Sequence, residues 1–267
     1  LLTNDDGIHA PGMAALRSAF RGRDRFVVAA PAGQRSAVGH SITIHHPIPC
    51  DRVRLADGGS GWAVDGTPAD SVKLALAELI RPSPRFVLSG INFGANLATN
   101  VFYSGTVAAA MEGAFLGLPA FALSLCTRVN PRWADAAVIA RRVVEEFTPF
   151  IEGTPVCLNV NIPNLPARSI RGVRFTHQAR SPWADEFHRR EDPRGRLYFW
   201  MDGDRTLSKR SGAAPVEMTD VEAVDQGYVS ITPLRLTMTC EETFARLHPE
   251  RNPRTTPPGN GRKPRHR

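Results

Sequence analysis

No apolar run in this chain approaches the roughly 18 uninterrupted residues that a membrane-spanning helix needs, so the sequence carries no spanning-helix signal. Cysteine is scarce too. Cys50, Cys126, Cys157 and Cys240 stand far apart with no C-x-x-C among them. That spacing argues against zinc or disulfide frameworks and predicts free thiols, mostly buried, in a reducing cytoplasm. No secretory leader precedes the first polar motif, which also points to the cytoplasm. The pattern G-x-x-x-x-G-K-[ST] is absent, and with it the usual basis of nucleoside-triphosphate motor chemistry. Internal repeats are lacking as well. The chain opens on leucine without a methionine, and its first strand is expected to have lost residues at its start.

Positive charge is present but unevenly spread. From Arg246 onward six arginines and Lys263 face a single acid, Glu250, so the last 22 residues carry nearly all of the net charge of +7. That segment is rich in proline and glycine and poor in apolar residues, the composition of a solvated, disordered tail. Nucleic-acid contact through it is a minor alternative, and the rest of the chain is close to neutral.

The bulk composition, 42% apolar and 22% charged over 267 residues, suits one large globular domain with an appendage. Strand and helix signals alternate through the first two thirds. A buried strand ends near Asn4, and Pro11 opens a helix that Gly22 can close. Residues 26–30 form an apolar strand, and 41–45, with period-two alternation, join 52–55 in a β excursion. Thr67-Pro68-Ala69-Asp70 starts a helix that runs to Pro82. Strands over 85–89, 120–125 and 156–162 alternate with helices over 104–116 and 133–147. This order predicts an α/β fold: a three-layer core with a mainly parallel sheet and helices on both faces. Residues 1–163 are the expected catalytic core and 164–218 a β-rich arm used for oligomerisation. Residues 219–245 are a helix and strand that return to the core or exchange with a partner subunit, and 246–267 are the tail.

Four polar segments lie at strand ends or helix starts, where open α/β sheets bind ligands. Asp5 and Asp6 are adjacent, and two carboxylates side by side repel unless a cation or proton offsets them. Gly7 lets the chain turn so that both can reach one ion. Ser36, in the loop after the second strand, offers a hydroxyl of the kind that suits magnesium or manganese, although serine in such a loop is more often turn chemistry. Asn92 and Asn96 can set amide oxygens on a metal or amide N–H groups on an anion, or simply make Asx turns. Ser104-Gly105-Thr106 at a helix N-terminus offers free N–H groups and the positive end of the dipole to a phosphate, or plain capping. A hard-metal site next to a phosphate site specifies metal-assisted phosphoryl hydrolysis.

These segments resemble the SurE survival-protein family of metal-dependent acid phosphatases and nucleotidases. The resemblance rests on Leu1-Leu2-Thr3-Asn4-Asp5-Asp6-Gly7, Arg35-Ser36-Ala37-Val38-Gly39-His40-Ser41, Asp65-Gly66-Thr67-Pro68-Ala69-Asp70, Ser89-Gly90-Ile91-Asn92-Phe93-Gly94, Tyr103-Ser104-Gly105-Thr106-Val107 and Gly227-Tyr228-Val229-Ser230-Ile231-Thr232-Pro233-Leu234. It extends to about Leu236. The resemblance implies a Rossmann-like core, one magnesium or manganese ion per subunit, and hydrolysis of nucleoside 5′- and 3′-monophosphates. It implies metal ligation by Asp5, Asp6, Ser36 and Asn92, and phosphate binding by Asn96, Ser104, Gly105 and Thr106. A homodimer or homotetramer with exchanged C-terminal segments is implied too. Asp5, Asp6 and Asn96 are the expected catalytic residues, acting with a metal-activated water. Direct attack by an aspartate is the alternative route, and His9 or His40 are candidates to protonate the leaving oxygen. Other activities to weigh are short-polyphosphate cleavage and, without catalysis, nucleotide sensing.

Overall fold

The computed structural model describes residues 1–22, 26–180, 184–204 and 218–247. In chain order the elements are β1 (Leu2–Thr3), α1 (Pro11–Ala19), β2 (Ala29–Pro31), β3 (Cys50–Arg54), β4 (Ser60–Val64) and α2 (Pro68–Leu74), which continues as a π-helical turn over Ala75–Leu79. Then follow β5 (Val87–Phe93), a 3-10 turn (Ala98–Tyr103), α3 (Gly105–Phe115), β6 (Ala120–Cys126), α4 (Trp133–Ile151) and β7 (Cys157–Pro163). After these come β8 (Val173–Phe175), β9 (Ala184–Glu191), β10 (Leu197–Asp204), α5 (Asp220–Asp225), β11 (Val229–Leu234) and α6 (Glu241–Leu247).

The central sheet has the order β1-β5-β6-β7-β11-β8. Its first four strands are parallel, β11 joins antiparallel to β7, and β8 runs parallel to β11 at the far edge. The expected mainly parallel sheet with helices on both faces is the observed one. A smaller sheet, β2-β4-β3, is tied to β1 by the Leu2–Val28 bridge. The two faces of the central sheet differ in chemistry. Leu2, Leu88, Phe121 and Leu158 form one row across four strands, and these large side chains pack with Met13 and Leu16 of α1 and Ile139 and Val143 of α4. Full burial of each is worth about 1.5–3 kcal/mol. The alternate row, Thr3, Ser89, Ala122 and Asn159, is small or polar. It lies on the side of Val87, where the alanine-rich α3 packs.

Local signals fixed several boundaries. Thr67 and Asp70 form a reciprocal capping box with Pro68 in the first turn, and Thr219 and Glu222 form another at α5. Residues 41–45 are a correction: their alternation does not make a strand, and Ile42 and Ile44 are exposed. The backbone there bonds to side chains of α2 in place of a ladder, the Ser41 carbonyl accepting from the Thr67 hydroxyl and the Thr43 amide donating to Asp70. Strand β4 and the charged β9 were not legible as strands. Of the cysteines, which are all free thiols, Cys157 is buried with its pKa pushed up to about 12 by that burial, whereas Cys240 is exposed, against the expectation of mostly buried thiols.

Packing divides the chain into Leu1–Leu234 and Arg235–Arg267. In the second unit α6 is the described element; 248–267, most of the predicted tail, lie outside the described residues, as do 205–217 of the predicted arm. Among the described residues no helix is long and apolar enough to cross a membrane.

Candidate metal and phosphate site

Asp5 and Asp6 follow β1 after Asn4, at the carboxyl edge of the sheet, and Gly7 turns the chain with φ 98°. Asp5 is only 5% exposed. Its backbone carbonyl accepts a 2.7 Å hydrogen bond from the Arg35 amide, which lays the Ser36 loop beside the acid pair. Its Oδ1 accepts from the Thr106 hydroxyl of α3. Asp6 Oδ2 accepts from the Phe93 amide at 3.0 Å, next to Asn92 at the end of β5. The segments expected to carry Asp5, Asp6, Ser36, Asn92 and the start of α3 are thus joined by hydrogen bonds that converge on the two aspartates.

The electrostatics suit a cation. Burial pushes the Asp5 carboxyl up to about 6; the Thr106 hydroxyl pulls the other way and the Asp6 charge adds to the rise. Burial also raises Asp6, opposed by the Phe93 amide and the charge of Arg128. Among the described residues neither carboxylate has a salt bridge, so the two negative charges are left without an ion-pair partner. Asp6 Oδ1 has no hydrogen-bond partner among the described residues, and the Asp5 carboxyl is drawn down further by the backbone amides of Thr106 and Asp5 itself. Asn92 donates its Nδ2 to the Gly94 carbonyl at 2.8 Å, which leaves its amide oxygen open. Ser36 is exposed and its Oγ accepts from Gln34 at 2.8 Å. These are hard oxygen donors, fit for a divalent ion of the magnesium or manganese type. No cluster of three or more His, Cys, Asp or Glu able to hold a metal exists among the described residues, so a zinc-type ligand set is not the alternative there.

Helix α3 begins against the same acids. Ser104 caps it, accepting from the Val107 amide at 3.1 Å, and the Thr106 hydroxyl is spent on Asp5. Of the four residues expected to bind phosphate, Thr106 spends its hydroxyl proton on Asp5, whereas Ser104 accepts at the cap and keeps its own O–H to donate. For an anion α3 thus offers its dipole, the Ser104 O–H and the Gly105 amide, which has no partner among the described residues. Gly105 has to be glycine: a Cβ there would sit 2.8 Å from the Asp5 Cβ and 3.2 Å from its Oδ2.

Asn96 is buried beneath this edge. Its Nδ2 donates to Ser124 at 2.9 Å, its amide donates to Asn161 Oδ1 at 2.9 Å, and its carbonyl accepts from Asn159 and Asn161. Sequence reasoning missed this pair on β7, although asparagines at i and i+2 in an otherwise apolar strand were a readable signal. His40 turns to Glu112, 2.9 Å from its Oε2, with its ring stacked on Phe115; His9 is exposed. Neither histidine contacts the acid pair.

A parallel α/β sheet with an acid pair and a helix N-terminus at its carboxyl edge defines a Rossmann-like protein of the kind that binds phosphorylated ligands. Residues 1–185 match the family described as Survival protein SurE. The chain is 46% identical to a 5′-nucleotidase SurE from Desulforudis audaxviator, covering 92% of this chain and 95% of that one. It is 43% identical to one from Syntrophus aciditrophicus, covering 90% and 88%. The crystal structure of the SurE protein from Aquifex aeolicus superposes with a TM-score of 0.78 at 37% identity, over 94% of this chain and 98% of that one. The chain belongs to the SurE survival-protein family.

Proposed function

We propose that this chain is a phosphoric monoester hydrolase that converts nucleoside 5′-monophosphates, and 3′-monophosphates as well, to nucleoside and phosphate. The observation that carries the reading is Gly105 packed on Asp5: a helix N-terminus set directly against a buried carboxylate whose neighbour Asp6 is half-buried, neither with a cationic partner among the described residues. Relatives named 5′-nucleotidases over nearly the whole chain support the substrate class.

Asp5, Asp6, Ser36 and Asn92 would hold one magnesium or manganese ion. When bound, such an ion supplies Lewis-acid polarisation of a phosphate oxygen and a water of lowered pKa. The chain does the rest. Thr106 and the Phe93 amide hold one oxygen of each aspartate, so that the remaining oxygens are fixed in direction. Both carboxylates being tethered in this way favours water over an aspartate as the nucleophile. The Gly105 amide and the α3 dipole receive phosphate oxygens as charge builds on them. Asn96 keeps one amide hydrogen beyond its bond to Ser124, and through its backbone orders the loop that follows Asn92.

The active form is a homodimer or homotetramer in this reading. Among the described residues strands β9 and β10 pair with each other alone, and they expose Phe187, Phe199 and Trp200, the last at 66%. A two-stranded ribbon with such side chains needs a cover to be stable in water. Residues 1–163 form the catalytic core of the reading and 164–218 its oligomerisation arm, and the free thiols fit a cytoplasmic enzyme.

The test is phosphate release from 5′-AMP, 3′-AMP and p-nitrophenyl phosphate by chelated protein given back magnesium, manganese or neither. Metal-restored turnover of 5′-AMP is expected. No release from any ester with either ion would overturn the proposal.

A further inference from the structure

Arg128, just beyond β6, has a seat of its own beside the acid pair. Gly94 adopts φ +135°, and a methyl group there would lie 3.4 Å from both Nε and Nη2 of Arg128 and 3.5 Å from its Cζ. Three near-equal distances mean that the flat of the guanidinium covers this glycine. Gly94 is fixed in turn by the Leu125 carbonyl, which accepts from its amide at 3.1 Å, and by Asn92, which donates to its carbonyl. The guanidinium therefore sits on the backbone that holds one of the expected metal ligands, and its charge is felt at Asp6.

An arginine whose charge reaches a carboxylate can close a bidentate pair with it. Here it does not. The Asp6 Oδ2 is occupied by the Phe93 amide, and among the described residues Arg128 forms neither a salt bridge nor a hydrogen bond. Its side chain is exposed, with its donor edge uncommitted. Arg128 lies on Gly94 and its charge reaches Asp6, whereas α3 packs on Asp5 through Gly105, so a cationic donor and the helix donors act on different members of the acid pair.

We infer that Arg128 is a substrate-binding residue that takes non-ester oxygens of the phosphate group, complementing the α3 N-terminus. The inference rests on the phosphatase reading above and adds to it a residue outside the motifs of the sequence. A terminal phosphoryl group has three non-ester oxygens, more than a helix start alone can satisfy, and a planar guanidinium matches two of them at once. Flat seating on Gly94 pre-orders the side chain, so less rotamer freedom is lost when the anion arrives.

The rival role is local: Arg128 would merely offset the charge of Asp6. Manganese-loaded protein separates the two. Inorganic phosphate binding is measured by calorimetry for the wild type, Arg128→Ala and Arg128→Lys, together with manganese affinity without phosphate and steady-state kinetics on 5′-AMP. Loss of one charge-assisted contact predicts phosphate affinity weaker by about tenfold in Arg128→Ala, with the KM for 5′-AMP rising alongside and kcat moving less. Arg128→Lys recovers part of the loss. Unchanged phosphate affinity at saturating manganese, with tighter manganese binding, would overturn the inference and leave the charge-offset role. If the wild type binds phosphate in an Arg128-dependent manner yet hydrolyses no ester, the phosphatase reading fails and the anion site stands.

Discussion

The Thr106 hydroxyl donates to Asp5 Oδ1, so the first turn of α3 and the end of β1 share one buried hydrogen bond. That bond fixes which oxygen of Asp5 remains for a ligand, and it opposes the rise in pKa that burial imposes. Thr106→Val keeps the shape and removes the donor. The expected result is a carboxyl that ionises at higher pH and a kcat/KM lower by about tenfold at neutral pH, with the acid limb of the pH–rate profile displaced upward. An unchanged profile would show that the bond does not govern Asp5.

Asp6→Asn removes one of two adjacent charges that lack an ion-pair partner. Phosphatase activity should fall by about a hundredfold or more, as when a preorganised charge is deleted from an active site. The metal-free protein should melt at a higher temperature than the wild type, because a desolvated like-charge pair has been relieved. Manganese should raise the melting temperature of the wild type and do so far less in the variant. Thermal melts of both proteins with and without manganese read the last two, and phosphate release reads the first.

Much of this arrangement is legible in the sequence alone, because each part depends on local chemistry. Thr67-Pro68-Ala69-Asp70 and Thr219 with Glu222 form caps through contacts three residues apart, which sequence spacing records. The alternation of strands and helices gave the sheet. Contacts made across long stretches of chain were not legible. Nothing in the spacing says that Thr106 is spent on Asp5, that Asn161 holds the Asn96 amide, or that Arg128 lies on Gly94. Residues 41–45 misled for a related reason. Period-two alternation marks a strand only if a partner strand is available, and here the available acceptors and donors were side chains of α2.

Those same residues lie in the loop that carries Ser36, and Glu112 pins it. Burial pushes the Glu112 carboxyl up, but hydrogen bonds from His40 and Lys73 outweigh it and hold the group below its ordinary value. A carboxyl held low in the folded state contributes stability above its unfolded pKa, and that contribution is lost as pH falls through the folded value. Glu112→Gln should therefore destabilise the protein by about 1 kcal/mol at pH 7, with the gap to wild type closing as the pH drops below the ordinary glutamate range. Denaturant melts at pH 7 and pH 4 measure the difference; a gap that widens on acidification would contradict the assignment.

Asn161→Ala leaves the Asn96 amide without its acceptor and the Asn96 carbonyl short of one donor, in a place closed to water. A buried polar group stripped of its partner costs about 1–3 kcal/mol, and a loss of that size in chemical denaturation is expected. Because the loop after Asn92 is ordered through Asn96, KM for 5′-AMP should rise as well. A variant that loses stability while keeping its kinetics would confine this network to a structural role.

Gly105→Ala is the sharpest probe of how α3 and the acids are related. The residue sits at a helical position where alanine is normally the better choice, by about 1 kcal/mol. Were the helix alone at issue, the change would stabilise. The added methyl, however, would lie 2.8 Å from the Asp5 Cβ and 3.0 Å from the Pro68 Cγ, closer than side chains tolerate without movement. Neither neighbour is free to yield. Pro68 is locked in the first turn of α2, and Asp5 is held by both its carbonyl and its carboxylate. The strain must push α3 off the sheet edge or Asp5 out of line, and both outcomes separate the helix N-terminus from the carboxylates. Activity should therefore collapse in a protein that remains folded by circular dichroism, and manganese affinity should fall with it. Full activity in Gly105→Ala would mean that the close approach of helix and acid is not what the site depends on.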